Sequence, residues 1–135
     1  MHHQFTPEIY YNTIGSHEPV LNIADGDTVS TTTIDAWGGD AENNQVGKRG
    51  NPMTGPFYIE GAEKGDSLAV TFDKVTPNRK IAWTRSAIAP NVLDPEYHPE
   101  FDDDKKIIEW EIDLEKNTAR PLDVDPPLNN LRIPL

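Results

Sequence analysis

Apolar and polar residues alternate with a period of two through several short stretches of this chain, and runs of Gly, Pro, Asn and Asp separate them. That pattern predicts strands with one buried face, joined by turns and loops. The expected strands are Ile9–Ile14, Val20–Ile23, Thr28–Ile34, Phe57–Glu60, Ser67–Phe72, Lys80–Ile88 and Lys106–Leu114. In Ser67–Phe72 the side chains of Leu68, Val70 and Phe72 alternate with smaller or more polar neighbours. In Lys106–Leu114 the residues Ile108, Trp110 and Ile112 do the same, which favours strand over helix.

Thr54–Phe72 is the stretch around which the rest is arranged. It predicts two strands joined by a tight polar link through Gly61 and Gly65, where Gly accepts a positive φ and Asp66 can bond nearby backbone. Ala24-Asp25-Gly26-Asp27-Thr28-Val29 echoes Glu63-Lys64-Gly65-Asp66-Ser67-Leu68, which means either two equivalent hairpin edges or one turn type used twice. From Asp35 to Gly55 the alternation stops, and a loop of that length in a compact domain is usually functional or mobile. A second long loop spans Ala89–Asp104, and Asn117–Leu135 is Pro-rich with an apolar ending. Seven strands without a long helix predict an all-β fold, an antiparallel β-sandwich of jelly-roll type, as a single domain over residues 1–135.

Composition narrows the chemistry. The absence of cysteine excludes disulfides, thiolate nucleophiles and Cys-ligated metal sites. Twelve Lys and Arg against 23 Asp and Glu give a net charge of −11, which argues against nucleic acid as a partner. The same charge disfavours an anionic membrane surface, and no apolar run approaches spanning length. A cytoplasmic location is the default expectation. Met1-His2-His3 is either native or a remnant of cloning.

Several residues carry possible chemistry, each with a plainer alternative. His17, beside Glu18, is a metal ligand, a general base or a solvated loop residue. Asp35 ends a strand and opens the longest loop two residues before Trp37; it is an active-site carboxylate, a turn residue or a helix cap. Glu60 ends its strand as a functional acid or an ordinary rim residue. His98, with Glu96 and Asp102, sits in an acidic loop and reads as solvated. The run Asp102–Asp104 lacks the spacing of a calcium loop. No phosphate-binding Gly-rich loop, serine-nucleophile elbow or His-Glu-x-x-His zinc motif is present.

The order of these features resembles the N-terminal half of the acetamidase/formamidase family. The resemblance runs through Ser16-His17-Glu18-Pro19-Val20-Leu21, Gly26-Asp27-Thr28-Val29 and Thr33-Ile34-Asp35-Ala36 with the glycine pair behind it. Its most specific part is the string from Asn51 to Asp66, NPMTGPFYIEGAEKGD. It covers most of the chain from Ile9 onward and thins after Asn91. It implies a jelly-roll fold and hydrolysis of short linear amides to carboxylate and ammonia. A divalent metal, most often zinc, is also implied, with His17 and Asp35 as ligands. Glu60 and Asp35 are the implied catalytic carboxylates, with Glu60 as the proton-transferring acid or a further ligand, and Asn44 and Gln45 could orient a small amide through their own donors and acceptors. Family members are longer, so the chain reads as a half that needs a second chain or acts as a homo-oligomer. The competing expectation is a non-catalytic β-module that binds a partner.

Overall fold

The structure, a computed structural model, describes residues 1–85, 92, 94–96 and 106–135. His98, the Asp102–Asp104 run and the end of the expected Lys80–Ile88 strand lie outside the described residues. The chain divides into two compact units, Met1–Asn78 and Arg79–Leu135. Both are β-rich, and no α-helix occurs among the described residues.

The first unit holds two strand pairs. β1 (His2–Gln4) pairs with β3 (Thr28–Ser30), and β2 (Leu21–Ile23) with β4 (Phe57–Ile59). Both pairs are parallel, where the sequence predicted antiparallel strands. Parallel neighbours need a long connection, and the loop from Thr31 to Pro56 supplies one between β2 and β4. In the second pair Leu21 lies opposite Phe57 and Ile23 opposite Ile59. These four are half-buried while Asn22 and Tyr58 between them are exposed, the two-residue period expected of a one-faced strand. Phe5, just beyond β1, meets Phe57 edge-on with ring centroids 5.4 Å apart, which links the two pairs.

β1 is formed by the residues that the sequence left uninformative. His3 Nε2 lies 2.8 Å from Asp27 Oδ2, and His2 Nε2 2.8 Å from Ser30 Oγ. Asp27 also receives the Met1 amino group and, at 3.0 Å, the Ala24 N–H. These donors hold its carboxyl well below the usual aspartate range, the Ala24 N–H contributing most, then the amino group, then His3.

Two expected strands are missing. Ile9–Ile14 keeps only an isolated bridge, Tyr11 to Met53. Ser67–Phe72 forms no strand at all, and every residue from Glu60 to Asn78 is exposed. The turn chemistry before it is as expected. Gly61 and Gly65 take positive φ, and the Asp66 N–H donates to the Glu63 carbonyl at 3.1 Å. The alternation in Ser67–Phe72 is genuine, but no neighbouring strand among the described residues is there to receive it.

The second unit is one antiparallel sheet in the order β5 (Ile81–Arg85), β6 (Ile107–Asp113), β7 (Thr118–Pro121), β8 (Ile133–Pro134). Its core forms where Ile112 of β6 lies opposite Ala119 of β7, with exposures of 9% and 7%. On the other face Glu111 lies opposite Arg120 and the two side chains pair, which lowers the Glu111 pKa. Asp113 shapes the β6–β7 turn by accepting the N–H groups of Glu115 and Lys116 and the Lys116 ammonium. Asn117, at φ 55°, completes it. The apolar chain end finds its place here, as β8 on the free side of β7, after a turn of 3-10 helix at Leu128–Asn130.

Two outcomes are expected from this arrangement. Ile112→Ala should destabilise the second unit by about 2–4 kcal/mol in chemical denaturation. Asp27 has a depressed folded-state pKa, so its contribution is complete above the ordinary aspartate value and is lost as pH falls below it. The protection of amides in β1 and β3, taken relative to unstructured peptide at the same pH, should therefore fall on acidification from pH ~4 downwards, and an Asp27→Asn variant should lose that dependence.

Candidate functional site

Asp35, Asn44 and Gln45 come together in one loop, and the loop is built on aspartate. Asp35 Oδ1 accepts the N–H groups of Trp37 and Gly39, both at 2.9 Å. The Asp35 backbone closes the same turn, with its N–H donating to the Gly39 carbonyl and its carbonyl accepting the Gly38 N–H. Five residues on the motif recurs. Asp40 Oδ1 accepts from Glu42 at 3.0 Å and Asn44 at 2.8 Å, and Oδ2 receives Asn44 Nδ2 at 3.1 Å. A bridge between Gly39 and Gln45 joins the two turns.

Close packing leaves no room for a side chain at Gly38. Its φ is 88°, and a Cβ there would stand 2.2 Å from the Gly47 carbonyl oxygen. At Gly39 a Cβ would stand 2.9 Å from Asp35 Oδ2, so the carboxylate sits tight against the backbone it caps. Gln45 Nε2 donates to the carbonyls of Trp37 and Gly47. Arg49 stacks its guanidinium 4.7 Å from the Trp37 ring centre, and the Gly50 and Asn51 N–H groups both reach the Ala36 carbonyl. Partial burial, then the Asp40 carboxylate, raises the Tyr10 phenol pKa.

His17 is placed differently. Its ring stacks on Tyr11 with centroids 3.7 Å apart and planes 10° from parallel. Its Nε2 lies 3.0 Å from Thr13 Oγ1 and 3.2 Å from the Thr13 carbonyl. Tyr11 is held in turn by its bridge to Met53, and Asn12 Nδ2 donates to the carbonyls of Lys48 and Arg49. Glu60 follows β4, its N–H donating to the Ile23 carbonyl at 2.8 Å while its side chain faces solvent. Among the described residues, no hydrogen bond, ion pair or ring contact joins His17 or Glu60 to Asp35, Asn44 or Gln45. No group of three His, Asp or Glu side chains positioned to hold a metal occurs among them either.

Comparison with known proteins finds the same resemblance as the sequence motifs. Over 96 residues the chain is 29% identical to a Schizosaccharomyces pombe protein named "putative formamidase". The match takes in 65% of this chain and 22% of that protein, so the chain spans about a fifth of its relative's length. No family model matches the chain, and no solved structure matches it significantly.

Asp40 is the organising residue that motif reading passed over, and motif reading shows Asp27 only as part of a turn. Each lies at a Gly- or Asn-containing turn, and an aspartate at such a position is the available signal. Both the carboxylate and the backbone of Asp35 serve the loop turn.

The loop geometry separates two substitutions at Asp35. Asp35→Ala, losing both acceptor contacts, should destabilise the first unit by about 1–3 kcal/mol, whereas Asp35→Asn retains an oxygen acceptor and should cost less. Amide exchange at Trp37 and Gly39 should rise sharply in the first variant and modestly in the second.

Proposed function

We propose that this chain takes part in hydrolysing a short linear amide, of formamide or acetamide type, to carboxylate and ammonia. The observation that carries this reading is the 96-residue match to a formamidase-named protein, together with the Asn51–Asp66 string. The loop supplies a rationale for amide recognition. The side-chain nitrogens of Asn44 and Gln45 are committed to Asp40, Trp37 and Gly47, which orients each side-chain oxygen to accept an N–H from a primary amide.

Hydrolysis requires a group that takes a proton from attacking water and returns it to the leaving nitrogen. Glu60 is the carboxylate suited to that role, since its side chain is solvent-facing and free of structural partners among the described residues. Asp35 is the second catalytic candidate, with the constraint that one of its oxygens already caps the loop. A divalent metal, zinc in the family reading, would polarise the carbonyl and acidify water. His17 and Asp35 do not by themselves make its ligand set. Further ligands would have to come from outside the described residues, from a second copy or another polypeptide. The family's sandwich would likewise be completed only with such a partner.

A second reading, a β-module without chemistry of its own, is favoured by one observation. Residues 1–78 contain no buried apolar side chain, as expected of a piece that completes itself against something else. A cytoplasmic setting suits either reading.

Ammonia release from formamide and acetamide tests the proposal, with the pure chain and with the chain mixed with the remainder of a full-length formamidase. Release is expected in the mixture, reduced about 100-fold or more by Glu60→Gln with unchanged circular dichroism. No release in either sample would exclude hydrolysis and leave the module. Near-normal turnover in both Glu60→Gln and Asp35→Asn would remove those two from the chemistry. Robust turnover by the pure chain would show that no partner is needed.

A further inference from the structure

Two turns in the first unit are built alike. In Ala24–Asp27 the Asp27 N–H donates to the Ala24 carbonyl at 3.1 Å, and Asp27 Oδ2 accepts the Ala24 N–H at 3.0 Å. In Glu63–Asp66 the Asp66 N–H donates to the Glu63 carbonyl at 3.1 Å, and Asp66 Oδ2 accepts the Glu63 N–H at 2.8 Å. Each has glycine at its third position, with φ of 78° and 106°. The first turn leads directly into β3, which is paired. The second leads into Ser67–Phe72, which keeps the alternation of a strand yet is paired with nothing among the described residues. Its apolar side chains stand in solvent, Leu68 at 58%, Val70 at 72% and Phe72 at 81% exposure. A strand-like segment with unpaired backbone and one apolar face is a template for another chain.

We propose that Ser67–Phe72 is a dimerisation strand, pairing antiparallel with the same segment of a second copy about a two-fold axis through Val70. Side chains directly opposite one another in an antiparallel pair share a face. With Val70 opposite Val70, Leu68 lies opposite Phe72 twice, and all six apolar side chains share one face. The same register sets Asp66 opposite Lys74 at both ends once the bend at Asp73 straightens on pairing, giving two charge-complementary pairs that flank the apolar centre. Asp66 keeps its turn through Oδ2 and offers Oδ1 to the lysine.

Other registers lose this match. A one-residue slip opposes Leu68 to Thr71 or Asp73, apolar face against polar. Moving the axis to Ala69 opposes Lys64 to Lys74 and Asp66 to Phe72. Moving it to Thr71 opposes Leu68 to Lys74. The sequence is self-complementary in one alignment only, which is the requirement of an isologous contact. This pairing does not depend on amide hydrolysis.

The chain has no cysteine, so a single introduced thiol reports its own partner. Val70→Cys should give a disulfide-linked dimer on mild oxidation, because position 70 faces itself across the axis; Val75→Cys, set opposite Gly65, should not. Sedimentation should show a dimer for the unmodified chain and a monomer for Val70→Lys, a change at an exposed position that leaves the fold intact. Lys74→Asp should weaken the dimer about tenfold and Lys74→Arg should not. A monomer at every concentration, a dimer that survives Val70→Lys, or equal cross-linking through positions 70 and 75 would each overturn the proposal. So would a pure chain that stays monomeric and pairs this segment only with a different polypeptide.

Discussion

Burial is the scarce quantity in this molecule. In residues 1–78 the apolar side chains that face one another, Leu21, Ile23, Phe57, Ile59 and Phe5, all remain partly accessible, and only Gly38 and Gly55 are buried. Burying a Leu, Ile or Phe completely contributes about 1.5–3 kcal/mol, and partial burial forfeits part of that. The second unit does slightly better, around Ile112 and Ala119. Everything else in the structure follows from having to hold its shape with little hydrophobic core.

What replaces the core is directional bonding, and aspartate side chains recur in it at turn after turn. Asp27, Asp35, Asp40, Asp66 and Asp113 each accept backbone N–H groups of the turn they sit in. The strong acidity of the chain, which as a bulk number says only what the protein will not bind, therefore has a structural side. A short carboxylate can bond nearby backbone where a longer side chain loses more rotamer freedom. The loop that carries Asp35, Asn44 and Gln45 is ordered by the same device, so the candidate recognition groups and the scaffold are largely the same residues.

The β character, the turns at Gly26 and Gly65, and the strands β2, β4, β5 and β6 were legible because they rest on local rules: alternation, and glycine or aspartate where the chain reverses. Pairing was not legible. Whether Thr28–Ser30 meets β1 in parallel or some other strand in antiparallel fashion depends on contacts distant in sequence, and periodicity carries no record of them. β7 escaped notice because Thr-Ala-Arg-Pro has too little apolar content to alternate, though Asp113 and Asn117 mark the turn into it. Ser67–Phe72 fails the other way, with a clear strand pattern and no partner among the described residues. At the candidate site, residue types drew attention to Asp35, but only the bonds to Trp37 and Gly39 reveal how firmly its carboxylate is engaged.

The strand pairs also differ in how far apart in sequence their partners lie. Position 21 meets position 57 in the β2–β4 pair, while position 113 meets position 118 in the β6–β7 pair. Closing the longer loop costs roughly 1.7 kcal/mol more chain entropy than closing the shorter one. The β6–β7 hairpin can thus form early, from neighbours alone. The parallel pairs wait on a search through the whole first half of the chain. The formamidase-like string, which contains β4, thus finds its place only once that longer loop has closed.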